Sequence, residues 1–443
     1  MRQGKRILRF GAVTICAINL LASITDTVFA ETTTLPKTST TDISIEKDVQ
    51  PTWSLSKDTT KSSNGGDTAS GEGKVFLIKN KKLVSVDATT GKILWTYGQD
   101  LYSILRYDKG TVYGSLNDGR VFALHTDGTV KWITSQSIYS PEEFVIHEDK
   151  IVVLRGIDTY VFDTKTGHLD WEDHDSTSFH GSEQIFVSNG ILFRNYYIPG
   201  YVSSIVLQAY DFNNGRKLWS KPNQQLPLQV EDGLAYSLSL PTLLDEPHAE
   251  LVLRTLDLRT GQEKTTYEYN WTTPSGSIIP ELEARAFMKG TTLFAYHNHV
   301  LAQFQLNNYT GNQDKPEWMF EGQSGQMEEP MMQLDQSQLF YIEKNSADLY
   351  SMLSSIEINP SFPVDALGRT YPSKGKPKHI DVIGKYVCIG EENGTLRVYD
   401  RTQKEELLSV RTNSSEYGPS IIENNTLIIQ TSERMIAVEL PKI

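Results

Sequence analysis

Four times in this chain a glycine is followed four residues later by a tryptophan, at the end of the same short pattern. The fullest copy is Val84-Ser85-Val86-Asp87-Ala88-Thr89-Thr90-Gly91-Lys92-Ile93-Leu94-Trp95. It returns from Val121 through Gly128 to Trp132, from Tyr160 through Gly167 to Trp171, and from Gln208 through Gly215 to Trp219. Residues 256–261 keep the turn but carry Thr265 where the Trp belongs, and residues 305–311 reach a Trp only at Trp318. Worn copies follow at 398–402 and 436–439. A pattern recurring at this interval means one supersecondary unit used many times, not two or three unrelated domains.

The unit has a plain physical reading. An alternating apolar strand ends at an Asp whose carboxylate can accept hydrogen bonds from the turn backbone. The Gly supplies a positive φ for a tight hairpin. The next strand carries a Trp, a large apolar surface suited to packing on a neighbouring copy. Nine pairs of a second and a third strand can be traced, beginning near residues 75, 111, 151, 191, 234, 292, 339, 386 and 427. With a strand on either side, each pair becomes a four-stranded antiparallel blade, and radial stacking as a β-propeller buries the faces of all of them. Trp95, Trp132, Trp171, Trp219 and Trp318 are read as blade-docking residues. Trp53 and Trp271 do not fit the repeat. The segment around Trp53 is either a stray strand or the completion of the last blade.

The unit A-x-D-x-x-T-G-x-x-x-W resembles the repeat of the pyrroloquinoline-quinone-like propellers. That family includes the quinoprotein alcohol dehydrogenases and the outer-membrane-protein assembly propeller of Gram-negative bacteria. The resemblance implies an all-β propeller of eight blades over residues 73–443, each docked to the next through its Trp.

Ahead of the repeats lies a different kind of chain. Arg2, Lys5, Arg6 and Arg9 form a basic start, residues 10–24 are apolar, and Val28-Phe29-Ala30 offers a cleavage site, the layout of a secretory signal peptide over 1–30. The apolar run is shorter than the ~20 residues of a transmembrane helix. Residues 31–72, rich in Ser, Thr, Asp and Gly, read as a flexible tether. The expected protein is therefore extracytoplasmic, at the cell envelope or secreted, with no transmembrane helix after cleavage. Loss of the leader would make the net charge of −13 more negative, which disfavours nucleic acid as a partner. A monomer is expected.

No catalytic motif emerges. Catalytic members of the resembling family carry adjacent cysteines, a calcium held by acidic and amide side chains, and an aspartate base. Here the only cysteines are Cys16, inside the leader, and Cys388, in an apolar strand. No cofactor and no metal are therefore expected. His297-Asn298-His299 is at most half a metal site. The cluster His168, Asp170, Glu172, Asp173, His174 and Asp175 reads as a solvated acidic loop. What remains is the rim shared by the second-to-third-strand turns and the blade-to-blade connections. Its long loops carry Tyr196, Tyr197, Tyr201, Leu243, Leu244 and Trp271, which either fold onto their own blades or form a surface for a protein, peptide or glycan. The expected function is an exported, non-enzymatic propeller presenting that rim as a scaffold or sensor. The rival is a quinone- and calcium-dependent dehydrogenase or another propeller enzyme.

Overall fold

Each Asp–Gly unit turns back on itself because the aspartate closes the turn from inside. Asp87 Oδ1 accepts the backbone N–H groups of Thr89 and Thr90, at 3.2 and 2.7 Å, and the Thr90 hydroxyl at 2.7 Å. Asp163 and Asp257 repeat this with Thr166 and Thr260. The Thr90 and Thr260 hydroxyls, followed by the turn N–H groups, hold the carboxyls of Asp87 and Asp257 below their ordinary range. Gly91 completes the turn at φ +72°, a conformation that costs a residue with a Cβ.

The computed structural model describes residues 48–58, 67–198, 204–239, 250–270, 285–297, 300–311, 316, 318–321, 333–335, 338–344, 351–357, 369–371 and 374–441. Among these residues the strands form nine four-stranded antiparallel sheets. Blade 1 comprises Thr68–Gly71, Lys74–Lys79, Lys82–Asp87 and Ile93–Tyr97. Blades 2 to 8 follow over residues 105–137, 143–174, 180–222, 229–270, 285–321, 333–371 and 377–411. Blade 9 joins Tyr417–Glu423, Thr426–Thr431 and Arg434–Glu439 to Trp53–Ser56.

First strands touch across the junctions of blades 1 to 4, 7 to 9 and 9 to 1, so they lie innermost there and the fourth strands form the outer edge. The core sits between blades. Val75, Leu77, Val84 and Val86 of blade 1 pack on Ile428, Met435 and Ala437 of blade 9, while Phe76, Ile78 and Leu83 pack on Val112, Phe122 and Leu124 of blade 2. Both faces of the middle strands are thus buried, and their sequences run nearly continuously apolar.

Two expectations change. Among the described residues the sheets number nine, where the resemblance implied eight: each of the nine strand pairs sits in a sheet of its own, and Trp53–Ser56 completes the ninth. The described fold also begins before residue 73. Trp53–Ser56 and Thr68–Gly71, both inside the stretch read as a tether, are strands. They qualify because they pair at opposite ends of the ring, Trp53 with Ala437 and Thr68 with Leu77. The leader at 1–30 and the tether at 31–47 and 59–66 lie outside the described residues. Among the described residues no helix is long and apolar enough to cross a membrane.

Closure reuses the repeat's own contact. Trp53 Nε1 donates to Ala88 O at 2.9 Å, and its ring lies over Gly91, where a Cβ would come within 2.5 Å of Trp53 Cγ. The same contact joins Trp95 to Thr126 O and Gly128, Trp132 to Thr164 O and Gly167, Trp171 to Phe212 O and Gly215, and Trp219 to Leu258 O and Gly261. Trp53 is therefore the docking tryptophan of blade 9. Beside it Lys57 and Asp67 form a buried ion pair, and Asp67 Oδ1 accepts Gln430 Nε2 at 2.7 Å. Removing one member of such a pair typically costs about 3–5 kcal/mol, so the two ends of the ring are fastened side by side.

Candidate functional site: the rim of blades 2 to 4

The second strand of blade 4, Ile191–Ile198, and the third, Ser204–Asp211, are each eight residues long. They pair from Ile191 with Asp211 to Ile198 with Ser204, so the hairpin reaches far toward the rim. Alternation along the second strand sends Arg194 and Tyr196 toward blade 3 and Asn195 toward blade 5.

Arg194 is fully buried and makes four hydrogen bonds with its fork of five donors. Nε donates to Ser182 O at 3.0 Å, Nη1 to Asp158 O and Thr159 Oγ1 at 2.8 Å, and Nη2 to Gly156 O at 2.6 Å. Ser182 belongs to a bulge in the first strand of blade 4, where the register slips between Gly181 and Ile185. Gly156 and Asp158 belong to the second-to-third-strand turn of blade 3. One guanidinium thus donates to carbonyls of both the bulge and the turn, and staples the two blades together at the rim.

Tyr196 belongs to this staple. It is fully buried, its hydroxyl 3.4 Å from Thr159 Oγ1 and 3.3 Å from that of Tyr210, with the Arg194 guanidinium 5.1 Å from its ring centroid. It therefore does not line a binding surface, correcting the sequence expectation: the strand runs on past it, and its side chain falls on the blade 3 face. The acidic cluster is a strand and not a loop, with His168, Asp170, Glu172 and His174 exposed and Asp173 and Asp175 turned inward. Leu169–His174 is a strand, Asp173 Oδ2 accepts the Tyr210 hydroxyl at 2.9 Å, and Asp175 is buried against Gln208. Burial pushes the Tyr210 phenol up, so it stays a donor. Tyr197 is half-buried with its ring 6.4 Å from that of His180. Tyr201, Leu243, Leu244 and Trp271 lie outside the described residues, as does His299.

Two aromatic residues stand out on this rim that the sequence reading did not name. Phe179, in the connection into blade 4, is 79 % exposed, and Tyr139, in the connection into blade 3, is 60 % exposed. Phe179 is held by its backbone, N to Tyr197 O at 2.8 Å. The two connections are joined through the turn of blade 3: Gly156 N donates to Glu142 Oε2 at 2.7 Å, and Gly156 O accepts Gly181 N at 3.0 Å. The result is two exposed aromatic residues on connections that hydrogen bonds join through one turn. The sequence signal was a lone aromatic at the end of Ser176-Thr177-Ser178.

Cys388 is wholly buried, and burial raises its thiol well above the ordinary value, as expected of a structural cysteine. Among the described residues no three His, Cys, Asp or Glu side chains group to hold a metal ion. Trp318 opens the fourth strand of blade 6, opposite Gln303.

Residues 46–189 match a family model described as outer membrane protein assembly factor BamB. No curated protein matches the sequence. Among solved structures, BamB from Moraxella catarrhalis is similar at 12 % identity, covering 88 % of this chain and 98 % of its own, with a TM-score of 0.42. A quinohemoprotein alcohol dehydrogenase from Comamonas testosteroni is similar at 13 % identity over 90 % of this chain and 78 % of its own, with a TM-score of 0.44. Another, from Pseudomonas putida HK5, gives 12 % identity over 88 % and 76 %, with a TM-score of 0.45.

Proposed function

We propose that this β-propeller of pyrroloquinoline-quinone-like repeats is an exported, non-enzymatic protein-binding scaffold that engages its partner through the rim of blades 2 to 4. The observation carrying the reading is the exposed Phe179 and Tyr139 on a base fixed by Arg194. Large aromatic side chains held in place lose little entropy on binding and supply most of the energy at protein interfaces. Export is supported by the leader-like residues 1–30, and a binding role by the assembly-factor description of the matching family model. The non-enzymatic part rests on sequence: Cys388 is the one cysteine of the folded part, so the adjacent pair of the catalytic relatives has no counterpart.

The test is a paired one. Phe179→Ala with Tyr139→Ala should lower retention of an envelope partner at least about tenfold, with the thermal midpoint within a degree or so of wild type. A stoichiometric bound chromophore after incubation with pyrroloquinoline quinone and calcium would overturn the reading in favour of a dehydrogenase.

A further inference from the structure

On the same rim, at the ring closure, lies an open cleft of about 870 Å³, within the size range of ligand sites. The closing segment supplies one wall through Asp58. The turn of blade 1 supplies Asn80 and Lys81, and the connection to blade 2 and the turn of blade 2 supply the rest.

Its charged side chains are already engaged within the protein. Lys57 is buried against Asp67. The Asp58 carboxylate accepts Asn80 N at 2.7 Å and Lys81 N at 2.6 Å. Lys81 Nζ stands 3.6 Å from Asp100 Oδ1. What the cleft offers a ligand is therefore the uncharged set: the amides of Asn80 and Asn117 and the hydroxyls of Tyr102 and Ser103. Among the described residues these side chains make no hydrogen bond to protein. Tyr102 is half-buried and braced against the core between blades 2 and 3. Leu101, the one aliphatic residue of the lining, is itself buried.

We infer that this cleft binds an uncharged oligosaccharide. Amide and hydroxyl groups that both donate and accept match sugar hydroxyls, which do the same, and a braced tyrosine ring suits the C–H face of a pyranose. Both lysines of the lining face carboxylates and the further carboxylate, Asp58, is taken up by two backbone N–H groups, so no free cation is present to select an anion, and the lining has no apolar pocket to take the side chains of a peptide. The residues are distinct from Phe179 and Tyr139, so the site stands or falls apart from the protein-binding rim. Because the cleft joins the closing segment to blades 1 and 2, a ligand there also stabilises the closed ring by mass action.

Calorimetric titration of the full chain with cellohexaose, maltohexaose and chitohexaose, and with an uncharged Gly-Ser decapeptide, decides the matter. At least one oligosaccharide should bind saturably and raise the thermal midpoint. Asn117→Ala should weaken that binding about fivefold, the loss of roughly one hydrogen bond. Asn80→Gly, which suits the backbone at φ +52°, should do the same, both variants unfolding at the wild-type temperature. No saturable binding by any of the three sugars up to about 10 mM, saturation by the peptide instead, or unchanged sugar affinity in both variants would overturn the proposal.

Discussion

Replacing Trp53 by Ala should open the ring at one seam. The substitution removes the ring packed over Gly91 and the partly buried cluster of blades 9 and 1, and leaves Ala88 O without its donor. A fully buried Trp→Ala change costs about 3–5 kcal/mol, and the partial exposure of Trp53 brings the expectation to about 2–3 kcal/mol. Urea unfolding gives the magnitude, and hydrogen exchange gives the place. Arg434–Glu439, whose outer edge is covered by Trp53–Ser56, should lose protection while the strands of blade 4 keep theirs. Gly91→Ala sharpens the case, since its Cβ would meet Trp53 at 2.5 Å on a backbone of φ +72°. Alone it should cost about 2–4 kcal/mol, from the left-handed backbone and the overlap. In the Trp53→Ala background only the backbone cost of about 1–2 kcal/mol should remain, a clear departure from additivity. A Trp53→Ala loss below about 1 kcal/mol with unchanged exchange in Arg434–Glu439, or strict additivity of the pair, would refute closure through this contact.

Arg194→Lys should cost at least about 2 kcal/mol and speed exchange around Phe179, because one ammonium cannot reach the carbonyls of Ser182, Gly156 and Asp158 together; wild-type exchange there would contradict the staple. The Asp87 carboxyl titrates below its ordinary value in the folded chain, so its contribution is complete above the unfolded value near pH 4 and is lost as the pH falls through the lower folded value. The stability difference between wild type and Asp87→Asn should therefore be constant above about pH 5 and shrink in more acidic solution, as read from urea midpoints. Cys388 should resist iodoacetamide in the native protein and react only on unfolding, followed by mass.

Most of the architecture was legible because the repeat is written locally. Asp87, Gly91 and Trp95 sit within nine residues of one another, and the nine strand pairs traced from the sequence are the middle strands of the nine sheets. The docking contact of blade 9 was only half legible: the segment around Trp53 could be read as completing the last blade, but Trp53 and its partner Ala437 lie at opposite ends of the chain and no periodicity marks Trp53 as a docking residue. Tyr196 was misplaced for a different reason. It comes shortly before Pro199-Gly200, which reads as loop, yet the pairing continues to Ile198, and period-two alternation turns its side chain into the blade 3 junction. Phe179 escaped because a single aromatic among Ser and Thr carries no period, and only its exposure marks it. Arg194 was silent too, since nothing in a sequence says that a bulge and a turn from adjacent blades will need one fork of donors.

The central functional claim is that the rim of blades 2 to 4 meets a protein partner. A benzophenone amino acid placed at position 179, and as a control at position 130 on the outer edge of blade 2, tests it by photo-crosslinking in intact cells. Position 179 should give one discrete protein adduct and position 130 none. Adducts at 130 with none at 179 would contradict the placement of the interface, and no adduct at 179 under conditions where the chain is folded would contradict the rim's role altogether.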